Sequence, residues 1–483
     1  MTRPVVGPFN RVEGDLEVRL ESEAGGVRSA WVNSPMYRGF EQILAGKSPD
    51  DALVYAPRIC GICSVSQSVA AAKGLASALG AQVPTNGERL TNLVVGAENL
   101  ADHFTHFYLF FMPDFARSAY ADRGWHDAVS RRFRAEEGGA AKDAVAARAQ
   151  WMNLMGVLAG KWPHTHTIQA GGAAKAVDAS ERLRVLSLIK QFRRYLEHNT
   201  FGDRLETVAE LGSHSDLTTW IGQSGPAGSD LAQFLEAAED LDLGAMGRAY
   251  DRFMSYGSYP ECGAYLFQPG VYTPEGLTEV PESSITEDLA SSWMEGAGDP
   301  SHPYEGVTLP DADQDAAYSW CKAPRLAGRP VEVGALARQV VTGHPLVRDL
   351  VASSGGNVRN RVIARLLELA RVVPAMEQWA SALEPGEPFY TDPGPLTEGQ
   401  GAGLVEAARG SLGHWVRVHQ GRILNYQIVA PTTWNFSPRD RDGVPGPLEK
   451  ALEGTPVGAE ERNPVAVQHV VRSFDPCMVC TVH

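Results

Sequence analysis

Asp475-Pro476-Cys477-Met478-Val479-Cys480-Thr481-Val482-His483 closes the sequence with a Cys-x-x-Cys pair, and Arg58-Ile59-Cys60-Gly61-Ile62-Cys63 carries a second pair near the other end. Two thiol pairs this far apart can act together only if folding joins head and tail. If it does, four soft sulfur ligands converge, which suits a thiophilic transition metal. On spacing alone, a four-thiolate set reads as structural zinc or a single iron. Structural zinc pairs staple a small module, however, whereas residues 64–476 separate these two. The final histidine is a further signal, because chain ends fray unless something holds them.

Working outward, the 483 residues can bury a large core or divide into two or three domains. Hydrophobic content of 43% and charged content of 21% are ordinary globular values. A net charge of −15 without a long basic run argues against nucleic acid and anionic membrane surfaces as partners. No apolar run reaches the roughly 18 residues of a membrane span. The first ten residues lack a charged-then-apolar signal layout, so the expected location is cytoplasmic. Six cysteines are too sparse for a disulfide scaffold. The isolated Cys262 and Cys321 are expected as buried packing.

Residues 4–34 alternate apolar and polar around glycines, which predicts a strand meander. Helical periodicity follows at about 49–80, interrupted at Pro57 and Gly61, and again at 87–112 with a thick aromatic face. Further helices are expected near 140–158, 178–200, 228–255, 334–342, 357–383 and 446–471, with strands at 414–430. Residues 257–332 are rich in Gly, Pro, Ser and acids and predict a surface excursion of short strands and loops. The expected class is mainly α with smaller antiparallel β elements (α+β). A large helical core would surround a buried metal site, and residues 1–483 would form one interwoven unit.

Both cysteine segments resemble the signature motifs of the large subunit of nickel–iron hydrogenases. The resemblance continues through Arg11-Val12-Glu13-Gly14, Arg38-Gly39-Phe40-Glu41, Asn86-Gly87-Glu88-Arg89-Leu90 and Asp102-His103-Phe104-Thr105-His106-Phe107-Tyr108. Glu406-Ala407-Ala408-Arg409-Gly410 and the segment from Asn425 to Asn435 follow in the family's order. The resemblance implies that Cys60 and Cys477 are terminal nickel ligands and that Cys63 and Cys480 bridge nickel to iron. The iron would carry cyanide and carbon monoxide. Arg409 and Thr432, with the backbone after Pro431, match the groups that donate to the cyanides; a guanidinium suits this because it is permanently charged with fixed donors. Glu41, His483 and the Ile428 carbonyl match a buried magnesium site, which would explain a held terminal histidine.

Heterolytic splitting of dihydrogen needs a metal for the hydride and a base for the proton. The Cys477 sulfur is the expected first base. Glu13, expected on an apolar N-terminal strand, matches the family's proton-relay glutamate, and burial would raise its pKa. Asp102 and Asp475 are expected to pair with Arg409 and fix the field over the metals; viewed alone, each is an ordinary structural ion pair. Too few cysteines remain for iron–sulfur clusters, so an iron–sulfur small subunit must carry the electrons.

Departures from the family pattern refine the expectation. Gln67 stands where a histidine is usual, Asp15 where the N-terminal motif usually has histidine, and Ala408 where proline is common. Gln67 and Asp15 resemble the regulatory, hydrogen-sensing branch. Loss of the imidazole at 67 would change hydrogen bonding to Cys63 and tune the metal. A chain ending at His483 fits a sensor as encoded, or a catalytic uptake enzyme after removal of a C-terminal extension. Ile62 and Phe110 match positions bordering the family's gas tunnel, and would either narrow access to oxygen or simply fill the core. The expected protein is therefore a low-turnover hydrogenase subunit acting as a hydrogen sensor through a histidine kinase or other signalling protein. The rivals are an uptake hydrogenase, the related quinone-binding subunit of respiratory complex I, and a zinc-stapled scaffold.

Overall fold

Alternation in the first strands builds the first sheet. In the computed structural model, which describes residues 5–296, 298–458, 461 and 463–483, β1 (Val5–Val6), β2 (Glu17–Glu23) and β3 (Gly26–Asn33) pair antiparallel in that order. Val18 faces Val32 and Leu20 faces Ala30, and all four side chains are fully buried. Ala24 and Gly25 turn the β2–β3 corner with φ of 53° and 84°, the left-handed pair a tight hairpin needs.

The sheet is tied to the other end of the chain. Val27 N–H donates to Thr455 O (2.9 Å), and Val32 N–H donates to the Glu449 carboxylate (2.9 Å). Further along, Glu13 and Cys477 form a parallel bridge in which Met478 N–H donates to Glu13 O at 2.7 Å. Head and tail are thus joined by backbone hydrogen bonds, as the paired thiol motifs required.

Helix α1 (Ser64–Leu79) starts directly after Cys63, and α2 (Thr85–Thr105) continues into a π-helical turn at His106–Phe111. The long helix α3 (Val358–Ala382) packs on α2. Strands β4 (Phe253–Glu261), β5 (Ala264–Thr273) and β6 (Gly276–Thr278) make one antiparallel sheet, and β7 (Ile285–Asp288) pairs with β8 (Ala323–Leu326). A further three-stranded sheet comprises β9 (Gly399–Ala407), β10 (Gly410–His419) and β11 (Arg422–Val429). Strand β9 lies flat on α1. A Cβ on Gly403 would stand 1.8 Å from Ala70 O, and one on Gly401 2.2 Å from Gly74 O. Glycine at both positions is what permits the contact.

The α+β class is as expected, with five corrections in detail. The predicted helix at 228–255 is a helix only over Asp230–Asp240. Beyond it Asp242 and Gly247 take left-handed backbone (φ 49° and 82°), and the chain is extended again from Phe253. Strand β9 was not foreseen, since its glycines lower strand propensity and its place is set by α1. The tail forms two helices, Pro447–Leu452 and Val465–Ser473, rather than one. Residues 257–332 do not stay on the surface, because all of β8 is buried and Glu287, Thr308 and Lys322 reach the interior. Cys321 is buried as expected, but Cys262 is exposed at the β4–β5 turn. No helix among the described residues is long and apolar enough to cross a membrane.

Candidate metal centre

The two Cys-x-x-Cys turns face each other across the joined termini. Cys60 Sγ lies 3.5 Å from Cys477 Sγ and Cys63 Sγ lies 3.0 Å from Cys480 Sγ. Cys477 and Cys480 are 3.1 Å apart, and all four buried sulfurs fall within 4.8 Å of one another. Arg38 locks the arrangement by donating to Ile59 O (2.6 Å) and also to Val479 O, the carbonyls just before Cys60 and Cys480.

Four thiols this close cannot all ionise unaided. Hydrogen bonds from Cys477 and the other thiols hold Cys60 well below the ordinary thiol range. Hydrogen bonding to Cys477 holds Cys63 well above it, and burial does the same for Cys480. A metal cation removes this conflict by stabilising every thiolate at once. The donor set fits a soft transition metal.

Arg409 sits over the sulfurs at the β9–β10 corner. Its Nε donates to Asp475 O (2.8 Å), and its Nη2 bridges Asp102 (2.9 Å) and Asp475 (3.0 Å). The pairing expected of these carboxylates is present. Burial pushes Asp102 well above the ordinary carboxylate range, while for Asp475 burial is outweighed by Arg409 and His106, which hold it down at about 2. The remaining nitrogen, Nη1, is buried with no hydrogen-bond partner among the described residues. An orphaned donor beside the sulfurs calls for an acceptor that the chain does not supply. Thr432 accepts from Cys477 N–H (3.1 Å) at the start of the short helix Pro431–Asn435, which leaves its hydroxyl hydrogen free to donate.

Glu13 is half-buried in the loop before β2, not on a strand as expected. Its carboxyl is raised above its ordinary value by burial and by the Cys60 sulfur, against Arg409 and Arg38. Asp15 is exposed. Gln67 corrects another expectation, since its amide nitrogen faces Cys480 Sγ at 3.8 Å, not Cys63. Behind it, His414 Nε2 lies 2.8 Å from Gln67 Oε1, and His414 Nδ1 lies 2.8 Å from the Tyr426 hydroxyl. Burial pushes His414 down to about 3, so it stays neutral.

Glu41, 4% exposed, gathers a second cluster. His483 Nε2 lies 3.0 Å from Glu41 Oε1, and Ile428 meets the same oxygen through its N–H (2.8 Å). Lys322 Nζ reaches Glu41 (3.1 Å), Glu287 (3.1 Å) and Gln427 Oε1 (2.8 Å), and Thr308 Oγ1 donates to Glu41. Burial opposes charge on both Glu41 and Lys322. Lys322 and His483 nevertheless hold the Glu41 carboxyl below the carboxylate range, and Glu287 and Glu41 hold the Lys322 ammonium above its ordinary value. His483 Nδ1 lies 2.9 Å from Cys480 O, a carbonyl that can only accept, so Nδ1 carries a hydrogen. Nε2 then faces a carboxylate either as an imidazolium or with a lone pair open to a cation.

Ile62 and Phe110 line one cavity of about 30 Å³ together with Glu98 and Asp102. Glu98 was not singled out from the sequence. It accepts from Val65 N–H (2.8 Å), Ser66 N–H (2.9 Å) and Trp162 Nε1 (3.0 Å), and so caps the N-terminus of α1 from a neighbouring helix.

The comparisons decide the family. The model described as nickel-dependent hydrogenase matches residues 38–123 and 142–483. The chain belongs to the nickel-dependent hydrogenase family. It is 29% identical to the periplasmic [NiFeSe] hydrogenase large subunit of Desulfomicrobium baculatum, covering 99% of this chain and 94% of the relative. Against the hydrogenase-2 large chain of Escherichia coli K12 the identity is 28%, with 100% and 97% covered. The Ni-Fe-Se hydrogenase structure from D. vulgaris Hildenborough superposes with a TM-score of 0.85 at 30% identity, both chains covered completely. The present chain has cysteine at all four clustered positions, and with the family its four-sulfur site implies a nickel–iron centre.

Proposed function

We propose that this hydrogenase large subunit reversibly splits dihydrogen into protons and electrons, and that it does so as a hydrogen sensor. The observation that carries the first part is the enclosed set of Cys60, Cys63, Cys477 and Cys480 beneath an arginine with one unpaired nitrogen. Cys60, Cys63, Cys477 and Cys480 would together hold the nickel–iron centre. When bound, the nickel–iron centre supplies the electron-rich metal pair that polarises dihydrogen for heterolytic cleavage. Arg409 Nη1 and the Thr432 hydroxyl, with the backbone beside Pro431, would donate to cyanide ligands on the iron. Asp102 and Asp475 hold the guanidinium at that angle. The Cys477 sulfur takes the proton, and Glu13, bridged to Cys477 through the backbone, passes it outward; burial and the Cys60 sulfur raise its carboxyl, which favours its holding a proton in transit. Electrons leave through clusters in an iron–sulfur small subunit. Glu41, His483 and the Ile428 carbonyl would hold magnesium.

The sensor role rests on Gln67. A neutral amide, pinned by His414, faces the sulfur where relatives of the family pattern carry imidazole, and Asp15 departs from that pattern in the same direction. The output passes to a histidine kinase or other signalling protein in the cytoplasm. The Desulfomicrobium baculatum relative is periplasmic by name, which favours a second reading as a mature catalytic uptake hydrogenase.

Infrared spectroscopy of the purified complex tests the centre: cyanide and carbon monoxide bands are expected, with nickel present and iron in excess of it because the small subunit carries clusters. Zinc alone would refute it. Hydrogen-dependent dye reduction then separates the roles, with low turnover for the sensor and high turnover for the uptake enzyme.

A further inference from the structure

A cleft of about 270 Å³ runs inward beside the Glu41 cluster. Glu295, Asp299 and Glu305 line its walls, and Glu287, Lys322 and Gln427 line its inner part. These inner residues belong to the second cluster described above: Lys322 Nζ binds Glu41, Glu287 and Gln427 together. The Lys322 ammonium therefore stands between the cleft and the Glu41–His483 pair.

Three observations give the cleft a direction and a sign. Glu287 is 5% exposed and lines the cleft, yet its Oε1 has no hydrogen-bond partner among the described residues. Such an oxygen is satisfied only by something from outside the chain. Second, Glu41 and Glu287 set two carboxylates against the one Lys322 ammonium, so the interior holds excess negative charge. Third, the outer wall is acidic. Asp299 is paired with Arg441 (2.8 Å), but Glu295 and Glu305 are exposed and make no ion pair among the described residues. The four cysteines are the one chelating group of His, Cys, Asp and Glu found among the described residues, so the outer carboxylates form a passage rather than a preformed chelate.

We propose that this cleft is the route by which a hard divalent cation reaches Glu41 and His483, with Lys322 as its plug. Glu295 and Glu305 raise the local cation concentration, Glu287 Oε1 is the first buried oxygen the ion meets, and Lys322 gives way as it arrives. Oxygen donors along the whole path match the preference of magnesium or manganese(II). A divalent ion carries the two positive charges that Glu41 and Glu287 require, so the ammonium can leave them as the ion arrives. The inference rests on the reading that Glu41 and His483 hold such an ion.

Manganese(II) alone is the probe. The purified complex is depleted of hard cations with a chelator and mixed with manganese(II), and uptake is followed by loss of the free-ion electron paramagnetic resonance signal. The double variant Glu295→Gln/Glu305→Gln should load about tenfold more slowly at low salt, to the same final stoichiometry, with the gap closing as salt screens the mouth. Lys322→Met should load faster than the parent. Equal rates for the parent and the mouth variant overturn the route. Glu41→Gln examines the underlying site: full stoichiometric binding by that variant overturns the site itself, as does no binding by the parent.

Discussion

Gln67 points its amide nitrogen at Cys480 Sγ, 3.8 Å away, because His414 fixes its oxygen at 2.8 Å. The orientation follows from donor logic. A carbonyl oxygen only accepts, so His414 Nε2 carries the hydrogen, its Nδ1 accepts from Tyr426, and the Gln67 NH2 is left for the sulfur. Gln67→Leu, of similar size, removes both bonds and leaves His414 Nε2–H unpaired in the interior. The expected loss is about 1–3 kcal/mol of stability, read from denaturant unfolding. On the proposed centre, cyanide and carbon monoxide bands should shift as well, because sulfur that loses a donor pushes more electron density onto the metals. Unmoved bands would detach Gln67 from the tuning role.

Arg409 is positioned by three bonds to Asp102 and Asp475 while Nη1 stays unpaired. Arg409→Lys keeps the charge but cannot reproduce the fork. Hydrogen turnover should fall on the order of 10²–10³, the range for removing one preorganised donor, while nickel and iron content is retained. Loss of the metals instead of the rate would make Arg409 an assembly residue.

The cysteine ends were legible because Cys-x-x-Cys spacing is local chemistry that survives without coordinates. The meander at 4–34 and the helices around Cys63 and Asp102 were legible from periodicity. Lys322, Glu287 and Thr308 were not, since their stretch reads as loop and their meeting with Glu41 depends on contacts across more than 240 residues. His414 opens a stretch whose alternation predicts a strand, and nothing local marks its partner at Gln67. Strand β9 was missed because its glycines lower strand propensity, and the close approach to α1 that they serve is a tertiary fact.

Ile62 and Phe110 share a cavity of about 30 Å³, room for little more than a water-sized molecule. Ile62→Val with Phe110→Leu enlarges it at a cost of about 1–3 kcal/mol in stability. Inactivation by oxygen should become measurably faster in the double variant, with activity under hydrogen alone preserved. Unchanged oxygen tolerance would mean that the pair only fills space.

Glu98 links the cavity to the start of α1, and its charge makes stability depend on pH. Burial raises its carboxyl from 4.5 to about 7 against donors from Val65, Ser66 and Trp162. The unfolded chain loses this proton near 4.5, while the folded protein keeps it until about 7. Between those values the native state binds more protons, so the contribution of Glu98 to stability falls as pH rises through the window and levels off above it. The full span is about 3 kcal/mol. Glu98→Gln removes the titration, though its amide places a donor among donors and lowers stability throughout. In denaturant titrations from pH 4.5 to 8, the parent minus variant difference should shrink up to neutrality and then stay constant; a difference that grows with pH would reverse the assignment.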